Sequence, residues 1–413
     1  MSTAQENLPQ QPAAVLAEIS EAIGLQEGAA GVRAVVWAFH QVGAASTREV
    51  SRRTGLPVPI AAAIGNELRR RGLLGRERPS RLTEAGTALL GERGAPPKVE
   101  VACAACAGTE ITIPAKLREA VSRLADIAAE GPGADLALDQ SHCTPETKVR
   151  RVLALLRAGV LPGNSLLLVG DDDLISLAVG VVGEVLGVRL TERLAVADIS
   201  PEILEFISER ATSLGVPVEV AEHDLREPLP VRLRHSFDAA MTDPPYTAEG
   251  AKLFLSRVIE GLRPGPAHNV FLSFGAKAPT EMLDVQRAIT DLGLVTHGLI
   301  RNFNEYEGSG ILGGTGFLQH LLTTDATAPL FFEGYQGPLY TRDKRGRQRQ
   351  YICVSCEALI PVGAGARWNA VAELQQAGCP NCGKGPFRPG RLVEPAASGS
   401  EDAGADRDAR QHD

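Results

Sequence analysis

Between residues 164 and 275, apolar runs of strand length alternate with stretches of helix length, and this alternation limits the chain to one class of core. NSLLLVG reads as a strand, ISLAVGVVGEVLG as a helix, RLAVADIS as a strand, PEILEFISERATSLG as a helix and VEVAEHD as a strand. FDAAMTDPPY supplies the next strand, and NVFLSFGAK the one after a further helix. Strands joined through helices of this length cross over, so they run parallel in a sheet covered on both faces. Ligands in such sheets sit at the carboxyl ends of the strands, near the point where strand order reverses. The turn after Val169 therefore belongs to a site.

That turn is Gly170-Asp171-Asp172-Asp173, and further acids close the following strands. Asp198 ends the second, where a carboxylate commonly accepts the two hydroxyls of an adenosine ribose. Asp224 ends the third, where a side chain commonly meets an adenine amine. Asp243 ends the fourth and opens Asp243-Pro244-Pro245-Tyr246. One such acid is usually a helix cap or a turn residue; a set in register along one sheet edge indicates a site. In enzymes that modify amines, an Asp/Asn-Pro-Pro-aromatic turn holds the accepting nitrogen. An aliphatic ammonium must lose a proton before it attacks carbon, so a neighbouring carboxylate should take or relay it. Asp243 is the first candidate and Asp173 the second. Tyr246 offers a cation-π face or, equally well, a packing surface after the turn.

The layout resembles the S-adenosylmethionine-dependent methyltransferase fold, a Rossmann-type α/β fold shared with spermidine synthase. Ordinary methyltransferases have a glycine-rich loop after the first strand, whereas three aspartates would repel a methionine carboxylate. Decarboxylated S-adenosylmethionine lacks that carboxylate and ends in an ammonium, so the acidic loop suits it by attraction and excludes the ordinary donor by repulsion. A helix-dipole role would need only one of the three acids. Beside the spermidine synthase pattern GGGDG, the acid falls on Asp173.

With DQ…TPET at 139–147 and FNEYEGSG at 303–310, the chain resembles the branched-chain polyamine synthase family over roughly residues 30 to 345. The resemblance implies aminopropyl transfer from decarboxylated S-adenosylmethionine to the secondary amine of spermidine or a related polyamine, with release of 5'-methylthioadenosine. It assigns Asp173 and Asp243 to catalysis and Gly170, Asp171, Asp172, Asp198 and Asp224 to the donor. Pro244, Tyr246, Glu305, Tyr306 and Glu307 would meet the acceptor, although the last three could also form an acidic surface loop.

Residues 1–96 read as short helices in the order of a winged helix, with Ser46 capping one helix and a turn at Gly55 and Pro57. This segment carries 11 Arg against nine Asp and Glu within a chain of net charge −8. Its cluster Arg69, Arg70, Arg71, Arg76, Arg78 and Arg81 suits either nucleic acid or a solvated edge of a dimerisation module. Residues 97–345 form the expected catalytic domain, led by a small ribbon with Cys103 and Cys106. Residues 346–394 hold Cys353, Cys356, Cys379 and Cys382, two C-x-x-C knuckles 22 residues apart that predict a zinc-ribbon-like module with structural Zn2+. The acidic tail 395–413 is expected to be disordered. Six of the seven cysteines fall in such pairs. This usage, with no signal peptide and no apolar run of membrane length, fits a cytoplasmic protein.

Two other readings stand beside this one. An amino methyltransferase acting on nucleic acid would use DPPY on a base, but it requires the ordinary donor and a larger basic surface. A non-catalytic winged-helix regulator would sense a nucleoside or polyamine through the old site.

Overall fold

The computed structural model describes residues 11–91, 103, 106, 108–135, 138–307, 315–340, 348–362, 366–368 and 371–393 of the 413-residue chain. The chain divides into two units, 1–340 and 341–413. The last residues of the FNEYEGSG motif and the acidic tail lie outside the described residues.

The first unit begins with five helices: α1 (Pro12–Ile23), α2 (Gly28–Val42), α3 (Thr47–Thr54), α4 (Val58–Arg70) and α5 (Glu84–Ala88). Ser46 caps α3 through a reciprocal box: its Oγ accepts the Glu49 N–H, and the Glu49 carboxylate accepts the Ser46 N–H. Short bridges Ala45–Ser80 and Leu74–Leu82 form a ribbon before α5. Ile19, Val35, Val36, Val50, Ile64 and Leu68 fill a core separate from that of the sheet.

The module docks on the sheet domain by polar contacts. Arg52 pairs with Glu305, the Arg52 carbonyl accepts the Asn302 amide at 2.7 Å, and Gly55 ends α3 at φ 76°. A Cβ on Gly55 would lie 1.9 Å from the Arg301 guanidinium, so glycine permits the close approach as well as the left-handed backbone.

Next come α6 (Arg118–Glu130), α7 (Pro145–Arg157), β1 (Asn164–Val169), α8 (Ile175–Leu186), β2 (Thr191–Asp198), α9 (Pro201–Ser213), β3 (Glu219–Glu222) and β4 (Ala239–Thr242). They are followed by α10 (Ala248–Gly261), β5 (Asn269–Gly275), α11 (Pro279–Asp291), β6 (Leu294–Glu305) and β7 (Thr315–Thr323). The seven strands form one sheet in the order β3-β2-β1-β4-β5-β7-β6. Strands β1 to β5 are parallel, and β7 runs antiparallel to both β5 and β6. This is the expected methyltransferase-like Rossmann sheet. Order reverses between β1 and β4, which puts the switch point at the acidic turn.

Period-two alternation divides β1 between two cores. Leu166 and Leu168 pack with α6–α9, while Leu167 and Val169 pack with α10 and α11. Both faces are covered, so the run reads as uninterruptedly apolar. Helix α7 starts at Thr144, whose Oγ1 accepts the Thr147 N–H at 3.3 Å, with Pro145 in its first turn.

The second unit contains β8 (Gln348–Cys353), β9 (Leu359–Val362), α12 (Val371–Ala377) and β10 (Phe387–Val393), the strands pairing in the order β10-β8-β9. Its small core includes Cys353, Ile360, Trp368, Leu374 and Cys379.

Candidate active site

The three consecutive aspartates have three different surroundings. Gly170 leaves β1 at φ 75°, its N–H bound to the Ala197 carbonyl. Asp171 then turns back onto α8, its carboxylate accepting the N–H groups of Ile175 at 2.6 Å and Ser176 at 3.1 Å. It is therefore the cap of that helix start. Burial outweighs these bonds and pushes its carboxyl up to about 7.

Asp172 lines a cavity at the sheet edge together with Gly170, Asp198, Leu225, Asp243 and Pro245. Ile199 and Phe254 complete the wall, and Leu138, Asp139, Gln140 and Tyr340 complete the lining. The cavity holds only about 60 Å3, against about 300 Å3 or more for a typical ligand pocket, so a nucleoside must widen it. Burial, then the charges of Asp173, Asp243 and Asp198, raises the Asp172 carboxyl well above the carboxylate range.

Asp173 turns away from that cavity. Its Oδ1 accepts the Cys143 N–H, its Oδ2 accepts Arg151 Nη1 at 2.7 Å, and its carbonyl accepts Lys148 Nζ at 2.6 Å. Burial alone would raise its carboxyl, but Arg151, then Lys148 and the Cys143 N–H, hold it below the usual range.

Asp243, at the end of β4, accepts Arg151 Nη2 at 2.7 Å and the Tyr306 hydroxyl at 2.8 Å. Its carboxyl is pushed up to about 6, burial outweighing the effect of Arg151. Pro244 is buried behind the turn and Pro245 faces the cavity. The Tyr246 ring packs on Phe274 and edge-on to Tyr306, with Lys277 Nζ 6.0 Å from its centre.

The remaining sequence candidates divide into near and far groups. Asp198 is buried beside the turn, accepting the N–H groups of Asp171 and Ser200 at 2.9 Å each and leaving lone pairs toward the cavity. Asp224 lies beyond the end of β3, accepts the Arg226 N–H, and is 43% exposed; its neighbour Leu225 takes the cavity wall. Glu305 is paired to Arg52 of the helical module, and Glu307 is exposed. Among the described residues of the late motif, Tyr306 alone bonds to the acid pair.

The residue that sequence reasoning missed is Arg151. Its guanidinium is 1% exposed and joins Asp173, Asp243, Asn304 and the Tyr306 hydroxyl. A visible signal was the i, i+3 spacing of Lys148 and Arg151 on a helix whose buried stripe includes Thr147 and Val152.

In the second unit the four cysteines of the two knuckles converge. Cys353 Sγ is 3.7 Å from Cys382 Sγ, Cys356 Sγ is 3.6 Å from Cys379 Sγ, and all four lie within 4.8 Å. A tetrahedron of thiolates about 2.3 Å from zinc has edges of about 3.8 Å. The donor set therefore fits a closed structural Zn2+ site, which would tie β8 to the loop before β10. Among the described residues it is the only such group; Cys103 and Cys106 are not part of it.

The profile of the branched-chain polyamine synthase A C-terminal domain matches residues 119–347. An uncharacterised protein of Methanocaldococcus jannaschii is 34% identical over 84% of this chain and 87% of its own. The N(4)-bis(aminopropyl)spermidine synthase of Thermus thermophilus is 33% identical over 72% of this chain and 83% of its own. The crystal structure of the branched-chain polyamine synthase from Thermus thermophilus, in complex with N4-aminopropylspermidine and 5'-methylthioadenosine, superposes with a TM-score of 0.64. That match has 28% identity over 80% of this chain and 97% of the other. With this sheet, this acidic turn and these relatives, the chain belongs to the branched-chain polyamine synthase family.

Proposed function

We propose that this protein transfers an aminopropyl group from decarboxylated S-adenosylmethionine to the secondary amine of spermidine or a related polyamine, releasing 5'-methylthioadenosine. The observation that carries the reading is Asp172, a carboxylate in the cavity where an ordinary methyltransferase leaves room for the cofactor's methionine carboxylate. A methionine carboxylate beside Asp172 would either keep that acid protonated or meet a like charge, which at about 4 Å and an effective dielectric constant of about 20 repels by about 4 kcal/mol. The same carboxylate attracts the donor's terminal ammonium. The relative's complex, with 5'-methylthioadenosine and N4-aminopropylspermidine, a branched tetraamine, supports the same chemistry.

Roles follow from position. Asp198 accepts the ribose hydroxyls, and the adenine lies against Leu225 and Phe254, with Asp224 at the rim. Asp172 takes the ammonium, while Gly170 and Asp171 shape the turn that presents it. The acceptor nitrogen sits at Asp243 beside Pro244 and Pro245, with Tyr246 and Tyr306 as its apolar and hydrogen-bonding neighbours. Its lone pair forms the new N–C bond as the C–S bond breaks, the electron pair passes to sulfur, and the leaving proton passes to Asp243, with Asp173 holding Arg151 beside it. A sulfonium is a good leaving group, so alignment of nitrogen, carbon and sulfur supplies most of the acceleration.

The helical module is tied to the catalytic domain through Arg52 and Glu305, which favours a role in the enzyme. Arg70 and Arg71 pair with Glu67, Arg71 also with Glu18, and Arg69 bonds Asn66 and Ser80, which engages half of the cluster, while Arg76, Arg78 and Arg81 are exposed. We read the module as fixing Glu305, and through it the start of the Tyr306 segment. A homodimer through the module would fail on a monomeric sedimentation profile. No helix among the described residues is long and apolar enough to cross a membrane. A cytoplasmic location would fail if fractionation found the protein elsewhere.

Mass spectrometry of the reaction with spermidine decides between donors. Acceptor mass rising by one or two aminopropyl units only with decarboxylated S-adenosylmethionine is expected. Methylation with the ordinary donor, or no product at all, sinks the proposal and revives the methyltransferase or regulatory readings.

A further inference from the structure

A fully buried guanidinium is out of place in a site that binds cations, because it competes with the substrate for the acids. Arg151 is nevertheless held there by four acceptors: Asn304 Oδ1 at 2.9 Å, Asp173 at 2.7 Å, Asp243 at 2.7 Å and the Tyr306 oxygen at 3.3 Å. Nε is used for the strand residue and the two Nη groups for the two carboxylates, the fork geometry that only arginine offers. Asp173 and Asp243 come from the ends of two neighbouring strands, and without a cation between them their like charges would push apart.

We propose that Arg151 is a positioning residue for the transfer, clamping the Asp173 and Asp243 carboxylates into one preset pair and leaving Asp172 as the turn's only cavity-lining acid. The inference rests on the aminopropyl-transfer reading and divides the acidic turn into helix cap, donor site and clamped acceptor site. Around the pair stand Asp172 and Asp198, the neutral Cys143 and Tyr246, and one other cation, Lys148, whose ammonium donates to the Asp173 carbonyl instead of a carboxylate. His142, whose imidazole interacts with Asp173, is held toward its neutral form by burial. Arg151 is thus the one cation in hydrogen-bond contact with both carboxylates among the described residues. Removing it should leave a pair that burial and mutual repulsion drive to the protonated, non-accepting form.

The test compares Arg151→Met with Arg151→Lys in kcat-against-pH profiles, with 5'-methylthioadenosine binding as the control for an intact nucleoside site. Arg151→Met should lose about 100-fold in kcat at neutral pH and regain much of it in alkali, its acidic limb displaced upward by at least one pH unit. Arg151→Lys keeps the charge but not the fork; its limb should stay in place while kcat falls about 10-fold with little change in donor KM. A limb unmoved in Arg151→Met, or wild-type turnover in Arg151→Lys, overturns the clamp. If Arg151→Met does not fold, the lysine variant decides alone. Carbon-13 NMR of aspartate-labelled protein reads the pair without turnover. The carboxyl signals of two aspartates should shift between wild type and Arg151→Lys, and silence of both overturns the clamp even if the reaction proves to be another.

Discussion

The Tyr306 hydroxyl donates to Asp243 Oδ2 across 2.8 Å, joining the residue after β6 to the end of β4. The bond fixes one lone pair of the carboxylate and leaves the other oxygen for the acceptor nitrogen. A hydrogen bond to a charged group contributes about 1.5–3 kcal/mol, so Tyr306→Phe should lower kcat by roughly 10- to 100-fold. Donor KM should hold, because Tyr306 does not line the donor cavity. Steady-state kinetics with the two substrates varied separately check this; a defect confined to donor KM would place Tyr306 elsewhere in the mechanism.

Acidic pH should switch the enzyme off through Asp243. Its carboxyl is pushed up to about 6, by burial first, and only the ionised form can accept the leaving proton. Activity should therefore be present above about pH 6 and be lost as pH falls through that value. Asp173 lies below the usual carboxylate range and stays ionised throughout that limb. A profile flat from pH 7 to pH 5 would remove Asp243 from the proton path. Asp173→Asn should cut turnover by orders of magnitude with the fold intact.

Donor binding should release a proton. Burial and its acidic neighbours raise Asp172 well above the carboxylate range, so in the empty cavity it tends to hold its proton. An ammonium placed beside it favours the ionised form and lowers that pKa, so the proton leaves. Calorimetry in buffers of different ionisation enthalpy should detect the release with decarboxylated S-adenosylmethionine. 5'-methylthioadenosine has no ammonium and should show none, and Asp172→Asn should abolish the release and weaken donor binding by about 10-fold or more. Equal proton release with both ligands would assign the titration to another group.

The sheet and the site were legible to different depths. Strand ends can be read from local runs, so the turn after Val169 and the DPPY turn fall where the sequence puts them, and the caps Ser46 and Thr144 are visible because their partners lie three residues away. The division of labour inside Asp171-Asp172-Asp173 was not legible. It depends on backbone angles at Gly170 and Leu174, φ 75° and 55°, and on Arg151, which is 22 residues from Asp173 in sequence. The residue types of KVRRVLALL do not tell which cations face outward, and only the packed helix shows that Lys148 and Arg151 point inward. Asp224 failed to reach the cavity for a related reason. Strand β3 stops at Glu222, and two further residues rotate the side chain onto the Arg226 N–H.

Metal content should separate the second unit from the chemistry. Sulfur spacings of 3.6 and 3.7 Å match a tetrahedral thiolate site, and a four-sulfur site leaves no position for water or substrate. One zinc per chain is expected by elemental analysis, with Cys379→Ser losing it and the strands of residues 348–393 losing hydrogen-exchange protection, since metal binding and folding are coupled in small ribbons. Every residue that lines the donor cavity lies between Leu138 and Tyr340. Aminopropyl transfer by Cys379→Ser should therefore stay within about twofold of the parent, the span of an ordinary context effect of about 0.4 kcal/mol. Loss of transfer together with the zinc would mean that the ribbon contributes to catalysis, and its residues would then have to be sought in the acceptor site.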